Sequence, residues 1–257
     1  MNTPYFDLSG KVAIVTGGAA GIGRGIAEGL ADVGATIALA ARRLENLERA
    51  CGEIAARTGV QTRPYRADIT SARDVERLAR EVEREFGRID ILVNNAGVGG
   101  SEKPILKMDD HDWDSVMDAN LKGAFRLSRA VAAGMARRNQ GGKIINVTSI
   151  GSRVVFKNMS AYCAGKAALT HLTKVMAMEW ARYDIQVNAI LPGYFETPMN
   201  RDFFAQDAGK NLIKSDIPMR RIGRIEEVKG VAVLLASAAS SFMTGSTIVI
   251  DGGQSLR

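Results

Sequence analysis

The stretch KVAIVTGGAAGIGRG, residues 11–25, decides the fold. A short β-branched run, KVAIVT, leads into a turn crowded with glycine, and the apolar spacing then becomes helical from Ile22 to Val33. A strand that passes through such a turn into a helix presents bare backbone N–H groups and the positive end of a helix dipole, which suits a diphosphate. Gly17, Gly21 and Gly23 are spaced T-G-x-x-x-G-x-G rather than G-x-G-x-x-G. On this segment alone, a phosphate cradle and a tight turn that binds nothing both remain open.

Working outward, the same alternation recurs. TIALA (36–40) is followed by an amphipathic segment over Leu44 to Ala56, QTRPYRA (61–67) by one over Ser71 to Phe86, and IDILVNN (89–95) continues the series. It resumes with KIINVTS (143–149), a long helix from Ala161 to Arg182, IQVNAIL (185–191), a helix from Ile225 to Ala238, and STIVID (246–251). Short β-branched runs that alternate with helices predict βαβ units and a parallel sheet covered on both faces. The expectation is a single α/β domain over residues 1–257, a doubly wound, seven-stranded Rossmann sheet, because no repeat, low-complexity tract or linker divides the chain. One long irregular stretch, Gly193 to Gly223, is expected to be a functional lid.

Composition narrows the function classes. The N-terminus MNTPYFDLSGK has no basic leader pattern and no apolar run is long enough to span a bilayer, so a soluble, untargeted, cytoplasmic protein is expected. Cys51 falls on an apolar helical stripe with Leu44, Leu47 and Ile54, which makes it a buried thiol rather than half of a disulfide with Cys163. The net charge of +6 favours anionic partners in general. Nucleic acid is not among the expected partners, because the arginines of SARDVERLAREVEREFG alternate with glutamates as a solvated helix face does. His111 and His171 have no metal-ligand spacing, and no metal is expected.

The second strand would end near the adenosine ribose of a bound dinucleotide. There the sequence has Ala41, Arg42 and Arg43: no carboxylate to repel a 2'-phosphate, and guanidinium groups able to hold one in bidentate fashion. NADP(H) is therefore favoured over NAD(H), with solvated arginines as the simpler alternative. Ala20 stands before Gly21, so that side of the turn adds no positive charge and the preference rests on Arg42 and Arg43.

With these features in place, the sequence resembles a classical short-chain dehydrogenase/reductase along essentially its whole length. The likeness runs through TGGAAGIG, NNAG (94–97), Asn120, Ser149, the Tyr162/Lys166 pair, PGYFET (192–197) and DGG (251–253). Hydride transfer to a ketone puts negative charge on oxygen, so the site needs a proton donor and hydrogen bonds aimed at that atom. A free phenol, with a pKa near 10, is a poor base at neutral pH, and a nearby ammonium, assisted by the positive nicotinamide of the oxidised cofactor, would lower that pKa. Tyr162 and Lys166, at i and i+4 on the long helix, have the spacing for this, on the same stripe as Leu169, Thr173 and Met176.

The resemblance implies that Tyr162 is the catalytic acid and base, that Lys166 lowers its pKa and holds the nicotinamide ribose, that Ser149 hydrogen-bonds the substrate oxygen, and that Asn120 holds a relay water. It further implies cofactor contacts from Gly17, Gly21, Ile22, Gly23, Asp68, Ile69, Asn95, Ala96, Gly97, Pro192, Gly193 and Thr197. Asp68 has an open alternative as a helix-capping acid. Substrate contacts are expected from Ser149, Gly151, Tyr162 and Tyr194, with walls from SRVVFKN (152–158) and from Phe195, Met199 and Arg201 of the lid. The members it resembles are gluconate 5-dehydrogenase-like, which points to a polyol, keto-sugar acid or similar small carbonyl substrate, with a 3-oxoacyl-carrier-protein reductase as the alternative. A non-catalytic dinucleotide sensor would need the glycine turn but none of Tyr162, Lys166, Ser149 and Asn120. A homotetramer is expected from the resemblance, with Ala164, Ala167 and Ala168 permitting close helix packing.

Overall fold

The structure, a computed structural model, describes residues 4–197 and 200–256. Seven parallel strands form one sheet in the order β3-β2-β1-β4-β5-β6-β7. They are β1 (Val12–Thr16), β2 (Thr36–Ala41), β3 (Thr62–Arg66), β4 (Ile91–Asn94), β5 (Gly142–Val147), β6 (Ile185–Pro192) and β7 (Thr247–Ile250). All seven are the β-branched runs recognised in the sequence. Every residue of β1 is buried, because Ala13 and Val15 face one core while Val12 and Ile14 face the other. A strand buried on both faces reads as continuous apolar sequence, as KVAIVT does. Pro64 lies in β3, which is an edge strand, so its missing N–H costs no ladder bond within the sheet.

On one face pack α1 (Gly21–Asp32), α2 (Leu44–Thr58) and α9 (Glu226–Ala236), with Ile26, Leu30, Leu47, Ile54 and Val228 in the shared core. The other face carries α3 (Ala72–Phe86), α5 (Gly123–Arg138) and α6 (Ser160–Trp180), through Leu78, Val82, Leu127, Met135 and Met176. Helix α3 starts where Ser71 accepts from the Asp74 N–H and stops at Gly87 in the left-handed region. Cys51 is buried and free, as its place on the helical stripe predicts. No helix among the described residues is long and apolar enough to cross a membrane.

Two regions depart from the sequence-based expectation. Residues 110–138, which carry no helix in the sequence reading beyond Asn120, form α4 (Asp110–Met117), a π-helical turn over Asp118–Lys122, and α5. The overlooked start signal is a capping box in which Asp109 and Asp112 exchange backbone hydrogen bonds. The segment 193–223 is not irregular, since it holds α7 (Arg201–Ala205) and α8 (Asp207–Asp216). Its two stems are tied together, as the Glu196 N–H donates to Gly223 and the Gly223 N–H donates to Tyr194.

Candidate active site

Strand order reverses between β1 and β4, so the turns after these two strands part and leave a crevice at the carboxyl edge. Gly17 and Gly21 have φ of +64° and +55°, backbone that side chains other than glycine adopt only with strain. At Gly17 a Cβ would come within 2.8 Å of Asn95 Nδ2, and at Gly23 one would overlap the same amide. That amide lies beneath the turn and donates to the carbonyls of Thr16 and Gly17 at 2.9 and 3.3 Å. Thr16, to which the sequence reading gave no role of its own, joins the two turns: its hydroxyl accepts from the N–H groups of Asn95 and Ala96, both at 3.0 Å. Asn95 and Ala96 therefore border the crevice with their backbone, while the Asn95 side chain is committed to the glycine turn.

Ala20, the N-cap of α1, is extended and gives no side-chain cap, and the first turn holds no acid. The first N–H groups of α1 thus lack a competing protein anion, which fits the diphosphate of a dinucleotide. Across the turn stands Thr197, whose Cγ2 would lie 3.2 Å from a Cβ on Gly21. Pro192 ends β6, and the Gly193 N–H donates to Ile250 at 3.0 Å, so the lid leaves the sheet at that edge.

At the adenosine end, Arg42 and Arg43 are exposed after β2. Arg43 is the N-cap of α2 and, like Ala20, supplies no side-chain hydrogen bond. Burial works against the charge of Asp68, but hydrogen bonds from Thr70 and the nearby Arg42 bring its pKa below the usual carboxylate value on balance. Asp68 caps a turn rather than α3, because its Oδ1 accepts from Thr70 N and Oγ1 at 2.9 and 2.8 Å while Ser71 caps the helix. Ile69 is half-buried against Gly123 at the start of α5.

The catalytic candidates meet beside α6. Tyr162 is half-buried, whereas Lys166 is only 5% exposed and donates from Nζ to the Val147 carbonyl at 2.9 Å. Lys166 Nζ stands 5.9 Å from the centre of the Tyr162 ring. Burial lowers the Lys166 pKa to about 8 and raises that of Tyr162, the latter opposed by a hydrogen bond from Ser149. The sequence predicts a phenol made acidic by its lysine together with the positive nicotinamide of the oxidised cofactor. The chain's own groups instead keep the phenol protonated, because a low-dielectric site disfavours both the phenolate and the ammonium.

Ser149 Oγ accepts the Gly151 N–H at 3.0 Å, which leaves its proton free to point toward Tyr162. Gly151 packs closely on the next loop, since a Cβ there would sit 3.1 Å from the Phe156 ring and the ring would have to give way by a few tenths of an ångström. Asn120 lies in the π-helical turn, 1% exposed, with Oδ1 accepting from Val98 N at 2.7 Å and Nδ2 donating to Val98 O at 2.8 Å. Gly97 fits between this amide and Lys166, for a Cβ there would be 2.6 Å from Asn120 Oδ1 and 3.5 Å from Lys166 Nζ. A π-turn that carries a buried polar residue against a catalytic helix is a recurrent functional device.

The substrate wall differs from its expected composition. Tyr194 stacks on Phe156 with centroids 6.3 Å apart and meets Phe204 of α7 edge-on at 5.2 Å, so rings join the lid to the loop after Ser149. Phe195 belongs to the main core rather than the wall, because the pairing of its strand-like stem with Gly223 turns it inward. Arg153, Val154, Val155 and Lys157 line a groove of about 610 Å³ with Leu106 and Cys163, to which Gly151 and Phe156 also contribute, so it adjoins the aromatic wall, although neither Ser149 nor Tyr162 lines it. Arg201 is paired with Glu196, and Met199 lies outside the described residues. His111 and His171 are exposed.

A family model described as enoyl-(acyl carrier protein) reductase matches residues 17–255. Gluconate 5-dehydrogenase of Gluconobacter oxydans is 38% identical over 248 residues, 96% of this chain and 96% of that protein. An NAD-dependent glycerol dehydrogenase of Listeria innocua is 37% identical over 253 residues, 98% of this chain and 96% of that one. Among solved structures, a gluconate 5-dehydrogenase from Burkholderia cenocepacia in complex with NADP and tartrate shares the fold with a TM-score of 0.93, at 37% identity over 99% of this chain and 98% of that chain. A glycine cradle at the sheet's switch point, a Ser, Tyr and Lys cluster beside it and these full-length likenesses agree: the chain belongs to the short-chain dehydrogenase/reductase family, and is a dinucleotide-binding oxidoreductase acting on CH–OH or C=O groups.

Proposed function

We propose that the protein interconverts a ketone and a secondary alcohol with NADP(H) in preference to NAD(H), on a small polar carbonyl compound, polyol or keto-sugar acid. The observation that carries this reading is the cluster of Ser149, Tyr162 and Lys166, with Ser149 near enough to the phenol to oppose the effect of its burial and the lysine amine fixed on Val147, 5.9 Å from the ring centre. The dinucleotide would be held by the turn over 16–23, by Arg42 and Asp68, and by Thr197, and it supplies or accepts the hydride. In the reductive direction Tyr162, held neutral by burial, gives its proton to the developing alkoxide while Ser149 donates a hydrogen bond to the same oxygen. In the oxidative direction the phenolate must form, and the positive charge of Lys166 favours it.

The whole chain serves as one catalytic unit, with the catalytic segment at 149–166 and the lid at 193–223. Relatives named for gluconate and deoxygluconate substrates support the substrate class, and the aromatic wall of Phe156, Tyr194 and Phe204 suits the carbon face of a polyhydroxy chain. A cytoplasmic homotetramer is part of the proposal, supported by the half-exposed Ala164, Ala167 and Ala168 and by Met178, 85% exposed on the same helix. The test is a panel of keto-sugar acids, ketoses and an acetoacetyl thioester, followed by NADPH absorbance. Turnover of the polyhydroxy ketones supports the reading; turnover confined to acyl thioesters replaces it with the carrier-protein reductase.

Cofactor preference has its own test. Arg42→Ala should lower kcat/KM with NADPH by about ten-fold to a hundred-fold, the loss of one charge-assisted bidentate contact, and leave NADH kinetics within about three-fold. An unchanged NADPH to NADH ratio removes Arg42 from the site.

A further inference from the structure

Beneath the catalytic helix runs a line of buried polar side chains that none of the roles above uses. Asn94 on β4 and Asn146 on β5 are paired across the sheet, and the Asn94 Nδ2 donates to Ser128 Oγ of α5 at 2.7 Å and to Asn146 Oδ1 at 2.9 Å. Asn146 Nδ2 in turn donates to Thr173 Oγ1 at 2.9 Å, and the Thr173 hydroxyl donates to the Leu169 carbonyl at 2.8 Å. Ser128, Asn146 and Thr173 are all 0% exposed. The link between sheet and catalytic helix runs one way, with the Asn146 amide donating and the Thr173 hydroxyl accepting, and because Asn146 Oδ1 is already taken by Asn94 and the Thr173 proton by the Leu169 carbonyl, it cannot reverse without leaving a buried group unpaired.

Thr173 lies two helical turns beyond Lys166, on the same face of α6. The helix is thereby fixed to a single strand at two places: Lys166 on the Val147 carbonyl and Thr173 on the side chain of the preceding residue, Asn146. One hydrogen bond would leave α6 free to rotate or slide about it. Two bonds on one face, seven residues apart, define both its rotation and its height over the sheet, and with them the placement of Tyr162 against Ser149. A purely apolar interface would bury as well but would allow several registers of similar energy, which directional bonds exclude.

We infer that Asn146 and Thr173 are positioning residues for the reaction, a second anchor that holds the catalytic helix in register so that the Tyr162 hydroxyl meets the substrate oxygen. The inference rests on the proposed catalytic role of Tyr162. Thr173→Val keeps the shape and removes the hydroxyl, and kcat should fall about ten-fold while KM for NADPH and for the ketone stays within about two-fold, as expected when reacting groups are misplaced and binding is intact. Rates are counted per NADPH-binding site titrated in each preparation, so that loss of folded protein does not mimic the effect. Thr173→Ser, which restores the hydroxyl alone, should return kcat to within about two-fold of wild type. A Thr173→Val protein with wild-type kcat per site, or a serine variant as impaired as the valine one, overturns the inference. If Thr173→Val does not fold, Thr173→Cys is judged by the same criterion. Tyr162→Phe measured alongside separates the two ideas: activity in that variant removes the catalytic role of Tyr162, whereas an inactive Tyr162→Phe beside a normal Thr173→Val removes only the anchor.

Discussion

Lys166→Met should abolish turnover and at the same time stabilise the cofactor-free protein. Methionine matches the lysine stem in length, so the core beside α6 stays filled while a buried cation is removed. Burial brings the Lys166 pKa from 10.5 down to about 8, so below that pH folding must carry an ammonium out of water. The folded state releases its proton before the unfolded state does, and wild-type stability therefore gains from this group as pH rises from about 8 to 10.5 and gains nothing from it above or below that window. The methionine variant lacks that rise. At neutral pH it should be more stable by about 2 kcal/mol, the pKa displacement less the cost of an unpaired Val147 carbonyl, or about 5 °C in thermal midpoint. Denaturation as a function of pH checks the sign: equal slopes for both proteins between pH 8 and 10 would mean that the amine keeps its charge in the fold and that burial does not lower its pKa. Turnover should drop by about three orders of magnitude, since the charge that favours the phenolate is gone.

For Tyr162→Phe the expected loss in kcat is of similar size, about a thousand-fold or more in the reductive direction, because the acid beside Ser149 is removed. Unlike Lys166→Met, it should leave stability nearly unchanged, as the ring remains and only a half-buried hydroxyl is lost. Binding of NADPH should also be retained. Because burial holds the phenol above its ordinary pKa of 10, wild-type reduction should be flat across neutral pH, and a reductive rate that falls steeply through pH 7 would contradict this protonation state.

Strands and sheet-covering helices were legible wherever the apolar period was clean, as in KVAIVT and in the Val75, Leu78, Val82 stripe of α3. Helix α4 was not, because eight residues with four acidic or histidine side chains show almost no apolar stripe, and a π-turn breaks the period before α5 begins. The short α7 and α8 of the lid fail for the same reason of length. At the site, Tyr162 and Lys166 could be paired from spacing alone, since i and i+4 meet on any helix. Which way a loop side chain faces has no such rule. Phe195 turns into the core and Arg153 and Lys157 into an outer groove because of how the lid and the loop after Ser149 pack. The effect of burial on the phenol was likewise invisible, since it depends on the walls that surround Tyr162 and not on its neighbours in sequence.

The central claim is that Tyr162 moves the proton while the rest of the chain binds and orients. It is tested most directly by a single turnover: wild type and Tyr162→Phe are each saturated with NADPH, then mixed with the ketone that the substrate panel identifies, and the loss of bound NADPH is followed in time. Wild type should show a rapid single-exponential oxidation, and the variant the same initial amount of bound NADPH with oxidation slower by about a thousand-fold. A variant that oxidises its bound NADPH at the wild-type rate would contradict it.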